Sequence, residues 1–174
     1  MSLKLHRIKY AELSSRQKEN YNFQKISGIL ADYGYQTIRL TDDWNGADFI
    51  AQHVSGNVIL RIQLKGRMGF HHKYQGKDIW ICFRDQYTSR WFLYPHDNVF
   101  RMIKRFMTKR ESEVWRSGKG YSFPRLSEDH RRILEPYRVR AESRVSRFKL
   151  IKRRAGQRHK PADIYSTVIV KGGS

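Results

Sequence analysis

The chain has 174 residues, of which 39% are apolar and 13% aromatic, and a net charge of +19. That apolar share supports a packed core and excludes wholesale disorder, and the length fits one domain with an appendage. The charge points to a polyanion, with nucleic acid ahead of an anionic membrane surface, because no basic amphipathic helix with a strong apolar face dominates the sequence.

Residues 1–12 are basic and carry no clear pattern. Ser14 followed by Gln17 has the spacing of a capping box. A helix is therefore expected to start there and run to about Tyr33, with Gly34 as its stop. Phe23, Ile26, Ile29, Leu30 and Tyr33 form its apolar stripe. Glu19 falls within that stripe, and two readings of it stand. It is either an exposed carboxylate in a frayed first turn, or a carboxylate aimed at the reactive end of a sheet.

Residues 35–40 alternate as a strand, with Tyr35, Thr37 and Arg39 on one face and Gln36, Ile38 and Leu40 on the other. Residues 41–46 read as a turn, with Asp42 and Asp43 as turn formers. A hairpin follows: a strand over 46–52, a turn over 54–57 and a strand over 58–65, closed by Gly66. On the second strand Val58, Leu60, Ile62 and Leu64 point into the core, while Gln63 and Lys65 point the other way. Asp48 opens the first strand, so the hairpin brings its carboxylate close to that pair. A plain Asp–Lys ion pair at a sheet end fits the same pattern.

Residues 67–76 read as a mobile basic loop, with Arg67, His71, His72 and Lys73 as candidates for phosphate contact. His71 and His72 are adjacent, so a regular strand cannot aim both at one metal. Residues 78–84 form a continuous apolar run, which suits a strand buried on both faces. Cys82 lies inside it as plain core. It is the single cysteine, which excludes an intramolecular disulfide and a cysteine zinc cage.

Residues 90–94 form another strand, broken by Pro95. A helix over 99–108 is expected next, with Val99, Ile103 and Phe106 inward. Arg101, Lys104 and Arg105 face outward as further nucleic-acid candidates. Gly118-Lys119-Gly120 is too weak a signal for a phosphate loop. Ser127 starts a last short helix, ended by Pro136. The composition divides the chain into a domain over 1–135 and a basic arm over 136–174. Between 136 and 160, ten Lys and Arg oppose Glu142 alone, which fits a nucleic-acid arm or a solvated tail. No signal peptide and no apolar run of about 18 residues is read, so a cytoplasmic location without membrane association is expected.

The order helix, strand, strand, strand-with-lysine resembles the core of the PD-(D/E)XK nuclease superfamily, which includes restriction endonucleases and archaeal-type Holliday junction resolvases. Glu19 on the first helix, Asp48 opening the second strand, and Gln63-x-Lys65 on the third carry the resemblance, which spans about residues 13–110. Gln63 stands where the superfamily has its second acid, and Ala47 where it often has proline. The resemblance implies an α/β, restriction-endonuclease-like core: a mixed central β-sheet flanked by helices, here with a basic C-terminal extension.

It also implies catalytic roles for Glu19, Asp48, Gln63 and Lys65. Mg²⁺ (or Mn²⁺) would be held by Asp48, the Gln63 side-chain oxygen, the Leu64 carbonyl and Glu19. Lys65 would orient the attacking water and stabilise the anionic transition state. The implied activity is endonucleolytic hydrolysis of DNA, with RNA the lesser partner. A homodimer is suggested only because superfamily members that cut both strands are often dimers. Glutamine is a weaker ligand than carboxylate for a hard dication. The alternative is therefore a nucleic-acid-binding protein that keeps the fold without hydrolysis, and a third class is a basic structural or assembly protein.

Overall fold

The computed structural model of the chain describes residues 4–141. Helix α1 (Ser15–Asp32) begins at the expected capping box: the Ser14 amide donates to the Gln17 side chain at 2.8 Å, and the Gln17 amide donates to Ser14 Oγ at 3.3 Å. Two N–H groups that lack an intrahelical partner are satisfied this way. Gly34, at φ +77°, ends the helix. Ile26 and Leu30 are buried, and Phe23 and Ile29 pack partly against the same cluster. Tyr33 departs from the stripe. It is exposed, and its hydroxyl accepts the Arg140 amide at 2.9 Å.

Strand β1 (Tyr35–Trp44) is longer than its sequence pattern indicates. The turn expected over 41–46 shrinks to Asn45 and Gly46, whose φ angles are +56° and +95°. Two consecutive positive φ values match the right-handed twist of paired strands, and Asn-Gly is the pair best able to adopt them. Trp44 then faces Ala47, the first residue of β2 (Ala47–His53), and the ladder shifts register between Arg39 and Trp44. Strand β3 (Ile59–Lys65) starts one residue later than expected, so Val58 lies in the turn and is exposed rather than buried.

The 67–76 segment is not a loose loop. It contains β4 (Gly69–His71), which pairs antiparallel with β7 (Gly120–Ser122), and a single 3₁₀ turn, His72–Tyr74. Met68, Phe70 and Tyr74 from this segment are buried. Its apolar residues fill a core, which outweighs its basic composition. Beyond it run β5 (Ile79–Arg84), β6 (Trp91–Pro95) and the short β8 (Arg138–Val139).

The main sheet has the order β1-β2-β3-β5-β6-β8. Only β3 and β5 are parallel neighbours, in the register Gln63↔Ile81 and Lys65↔Phe83. Helix α1 covers one face over Phe49, Ala51, Leu60, Ile62 and Cys82. The other face packs on α2 (His96–Ile103), α3 (Lys109–Arg116) and α4 (Glu128–Leu134) through Val99, Phe100, Ile103, Trp115 and Leu134. The result is a mixed α/β domain with a central, mostly antiparallel sheet flanked by helices.

Two expectations need correction here. Phe100, not Phe106, faces inward from α2. The helix ends at Ile103 and tightens to 3₁₀ over Lys104–Phe106, and the change from 3.6 to 3.0 residues per turn leaves Phe106 exposed. The basic arm expected from 136 shares its first residues with the domain, because Arg138 and Val139 pair with Phe92 and Trp91. The remainder of the arm lies outside the described residues. Among the described residues no helix is long and apolar enough to cross a membrane.

Candidate functional site

The antiparallel register Phe49↔Ile62 carries Asp48 opposite Gln63. Phe49 and Ile62 face α1, so period-two alternation turns Asp48 and Gln63 to the other face of the sheet. There the Leu64 amide donates to Asp48 Oδ2 at 2.7 Å, and Gln63 Nε2 donates to the same oxygen. Gln63 Nε2 also approaches the Leu64 carbonyl at 3.4 Å. The amide oxygen, Gln63 Oε1, accepts from the Tyr74 hydroxyl at 3.0 Å. Gln63 is buried with its polar atoms satisfied, as the cost of burying an amide requires.

Tyr74 organises the cations around this pair. Its ring is buried, and the Lys65 and Lys73 ammonium groups lie 5.3 Å and 5.0 Å from its centroid. Both separations fall within the range of cation–π attraction. Gly46 lies against the edge atoms Cδ1 and Cε1 of the ring. A Cβ there would come 2.7 Å from Tyr74 Cε1, so the hairpin turn and the tyrosine fit only with glycine.

Glu19 follows the first of its two readings in being exposed, although the turn that carries it is capped rather than frayed. It is exposed rather than part of the apolar stripe, and Arg39 binds it while also donating to Asn20. Arg39 sits on the α1 side of β1, as its alternation indicates. Glu19, Asp48, Gln63 and Lys65 nevertheless line one cleft of about 780 Å³, together with Arg16, Arg39, Lys73 and Tyr74.

The remaining predicted nucleic-acid residues fall in three places. Arg67 and His71 line a neighbouring cleft of about 360 Å³, which Lys65 and Tyr74 also wall. Burial lowers the His71 pKa below the usual imidazole value, and the charges of Lys73, Lys65 and His72 push it the same way. His72 packs at a tilt against Trp115, in a separate cleft with Lys104. Arg101 and Arg105 lie on the exposed side of α2 and its 3₁₀ extension. The structure thus joins Arg67, His71 and Lys73 to the Asp48–Lys65 site, and leaves His72, Lys104, Arg101 and Arg105 apart from it.

The donor set suits a hard dication. Asp48 offers a carboxylate, Gln63 an amide oxygen and Leu64 a backbone carbonyl, all oxygen ligands of the kind Mg²⁺ selects. As it stands, Gln63 turns its nitrogen toward Asp48. A half-turn of the amide exchanges oxygen for nitrogen, and the Tyr74 hydroxyl serves either orientation because it both donates and accepts. Among the described residues there is no group of three His, Cys, Asp or Glu side chains arranged for a metal, so such a site would depend on the amide and the backbone.

Tyr74 was not singled out by the sequence, because its importance depends on a hydrogen bond to a residue eleven positions away. No protein-family model and no curated protein matches the chain. Among solved structures, a bacterial homing endonuclease, I-Ssp6803I, is similar at 15% sequence identity with a TM-score of 0.39, over 80% of this chain and 93% of that chain.

Proposed function

We propose that the chain is a Mg²⁺-dependent endodeoxyribonuclease of the PD-(D/E)XK kind, with Asp48, Gln63 and Lys65 at its centre and Glu19 at its rim. The observation that carries this reading is the convergence of those four side chains on one cleft walled by further cations. Asp48, the Gln63 oxygen and the Leu64 carbonyl would hold Mg²⁺ or Mn²⁺, which when bound supplies Lewis-acid charge to a phosphoryl oxygen.

The chain's own groups do the rest. The Leu64 amide fixes the Asp48 carboxylate before substrate arrives, so that carboxylate is already oriented for the reaction. Lys65 orients the attacking water and stabilises the negative charge that develops on the phosphate. Arg16, Arg39 and Lys73 neutralise flanking phosphates without reading bases.

The second reading is a DNA-binding protein that does not hydrolyse. It is favoured by the neutral side chain of Gln63 and by the engagement of Glu19 with Arg39. One experiment separates the two. Supercoiled plasmid is incubated with the protein in Mg²⁺, Mn²⁺ or EDTA, and Asp48→Ala and Lys65→Ala are run in parallel. The nuclease reading expects nicking with either metal, none in EDTA, and loss of activity in both variants with unchanged circular dichroism. Equal cleavage by Asp48→Ala would place the activity elsewhere. Binding without cleavage under all conditions would leave the second reading.

A further inference from the structure

Three clefts follow one another along the edge of the domain where β3 and β5 end. The first is the Asp48–Lys65 cleft. The second, of about 570 Å³, lies beside the start of α1 and is walled by Lys18, Lys65 and Arg84. The third, of about 600 Å³, holds Lys25, Arg84, Arg90, Arg138 and Arg140. Lys65 is a wall of the first and second, and Arg84 is a wall of the second and third, so the clefts adjoin one another. Lys65 and Arg84 come together because parallel pairing of β3 and β5 places both C-terminal ends at the same edge.

The third cleft is strongly cationic. No acid lines it among the described residues, and Glu135 beside it pairs with three of its cations. Glu135 spreads its single charge over Arg138 and Arg140 at 3.3 Å and Arg90 at 3.8 Å. The β5–β6 turn beside them is pinned by hydrogen bonds to Asp85. Buried Asp85 accepts from the Tyr87 amide at 3.2 Å and the Thr88 hydroxyl at 2.5 Å, and the Ser89 amide donates to the Asp85 carbonyl at 2.8 Å. Thr88 and Ser89 are thereby held at the cleft wall beside Arg90. The cations of this cleft form the donor set that phosphodiester oxygens accept from.

We infer that one strand of a DNA duplex lies along these clefts, from the Asp48–Lys65 site past Arg84 to Arg138 and Arg140. The inference rests on the nuclease reading for the identity of the polyanion. Helix α1 sets the scale. From Arg16 in the first cleft to Ile29 in the third it is about 20 Å long, the length of about six base steps measured along a duplex axis. An acidic peptide is the less suited occupant. Its carboxylates would meet Glu19, Asp42 and Asp48 at the first cleft, whereas a phosphate strand reaching the proposed metal site meets the chemistry made for it.

The test is a salt titration of duplex DNA affinity by fluorescence anisotropy, using the full chain, Lys25→Ala/Arg84→Ala, and Arg101→Ala/Lys104→Ala as a control on a separate basic face. Each phosphate contact contributes about 0.9 to the slope of log affinity against log salt. The Lys25/Arg84 variant should therefore lose a slope of about two, and the control should lose little. Lys25→Ala alone, an exposed position on α1, should lose about one and guards against misfolding of the double variant. Polyglutamate should fail to displace the duplex. An unchanged slope in the Lys25/Arg84 variant, or displacement by polyglutamate at equal charge, overturns the track while leaving the nuclease reading in place. Failure of the wild type to bind duplex even at low salt overturns both.

Discussion

The Gln63 amide and the Asp48 carboxylate face each other across the β2–β3 ladder, and the amide donates to the carboxylate. A neutral donor at this position stabilises the carboxylate. A second acid would repel it, since like charges sharing a site disfavour the ionised pair.

That relationship makes Gln63→Glu the most informative substitution. In EDTA it should lower stability by about 2 kcal/mol, because it replaces a hydrogen bond to a charged group with repulsion. Mg²⁺ should restore the melting temperature, and any cleavage activity should hold or rise. The check is a thermal melt of wild type and variant with and without Mg²⁺. A variant melt that ignores Mg²⁺ would show that no dication binds between the two side chains.

Gly46→Ala should be costly for two reasons that a second glycine separates. Gly46 has φ +95° and Tyr74 in van der Waals contact, while Gly56 has φ +77° and open space. Gly56→Ala therefore carries backbone strain alone, about 1 kcal/mol. Gly46→Ala adds displacement of the Tyr74 ring and should cost about 3 kcal/mol. It should also disturb the Tyr74–Gln63 hydrogen bond and so weaken any cleavage activity beyond the loss of fold. Urea denaturation of the two variants gives the comparison.

Acid should destabilise the domain through its buried histidines. Burial lowers the pKa of His96 and of His130 below the ordinary value of 6.5, against the opposing effects of Asp97 on the first and of Glu111 and Asp129 on the second. Each also accepts a backbone hydrogen bond that protonation would abolish. The His71 amide donates to His96 Nε2 at 3.2 Å, and the Ser127 amide to His130 Nδ1 at 3.3 Å. The unfolded chain binds these protons more readily, so the stabilisation is complete above pH 6.5 and is lost progressively below it. Melting temperatures from pH 8 to pH 5 should fall most steeply below about 6.5, and His96→Gln should flatten that fall. An equal slope in the variant would assign the effect to other groups.

Truncation is best placed after Ala141. Cutting at 137 would remove β8 and the bond between Arg140 and Tyr33, whereas cutting after Ala141 keeps both. The removed residues, 142–174, carry nine Lys and Arg against Glu142 and Asp163. If about half of those cations meet phosphates, the salt slope of DNA binding should drop by about four, equally for unrelated sequences. The melting temperature should be unchanged. An unaltered slope would assign the arm to another partner and leave the clefts along β3 and β5 as the DNA surface.

Much of the architecture is legible in the chain because it depends on neighbours in sequence. The Ser14–Gln17 capping box, the apolar stripe through Ile26 and Leu30, and the alternation that sets Gln63 and Lys65 opposite Ile62 and Leu64 are local patterns of period 3.6 or 2. The pairing of Asp48 with Gln63 follows from them once the hairpin register is set. Asn45-Gly46 also announces its tight turn, although the acids before it read as a longer one.

What the sequence could not supply are contacts between distant segments. Arg39 takes Glu19 out of any simple reading as an apolar-face carboxylate. Tyr74 comes to Gln63 only because a stretch that looks like a basic loop pairs with β7 and buries Met68 and Phe70. Lys65 meets Arg84 only because β3 and β5 lie parallel. Side-chain periodicity fixes which way a residue faces within its own element, but burial, charge pairing and hydrogen-bond partners depend on what the rest of the chain brings opposite it, and only the tertiary structure decides that.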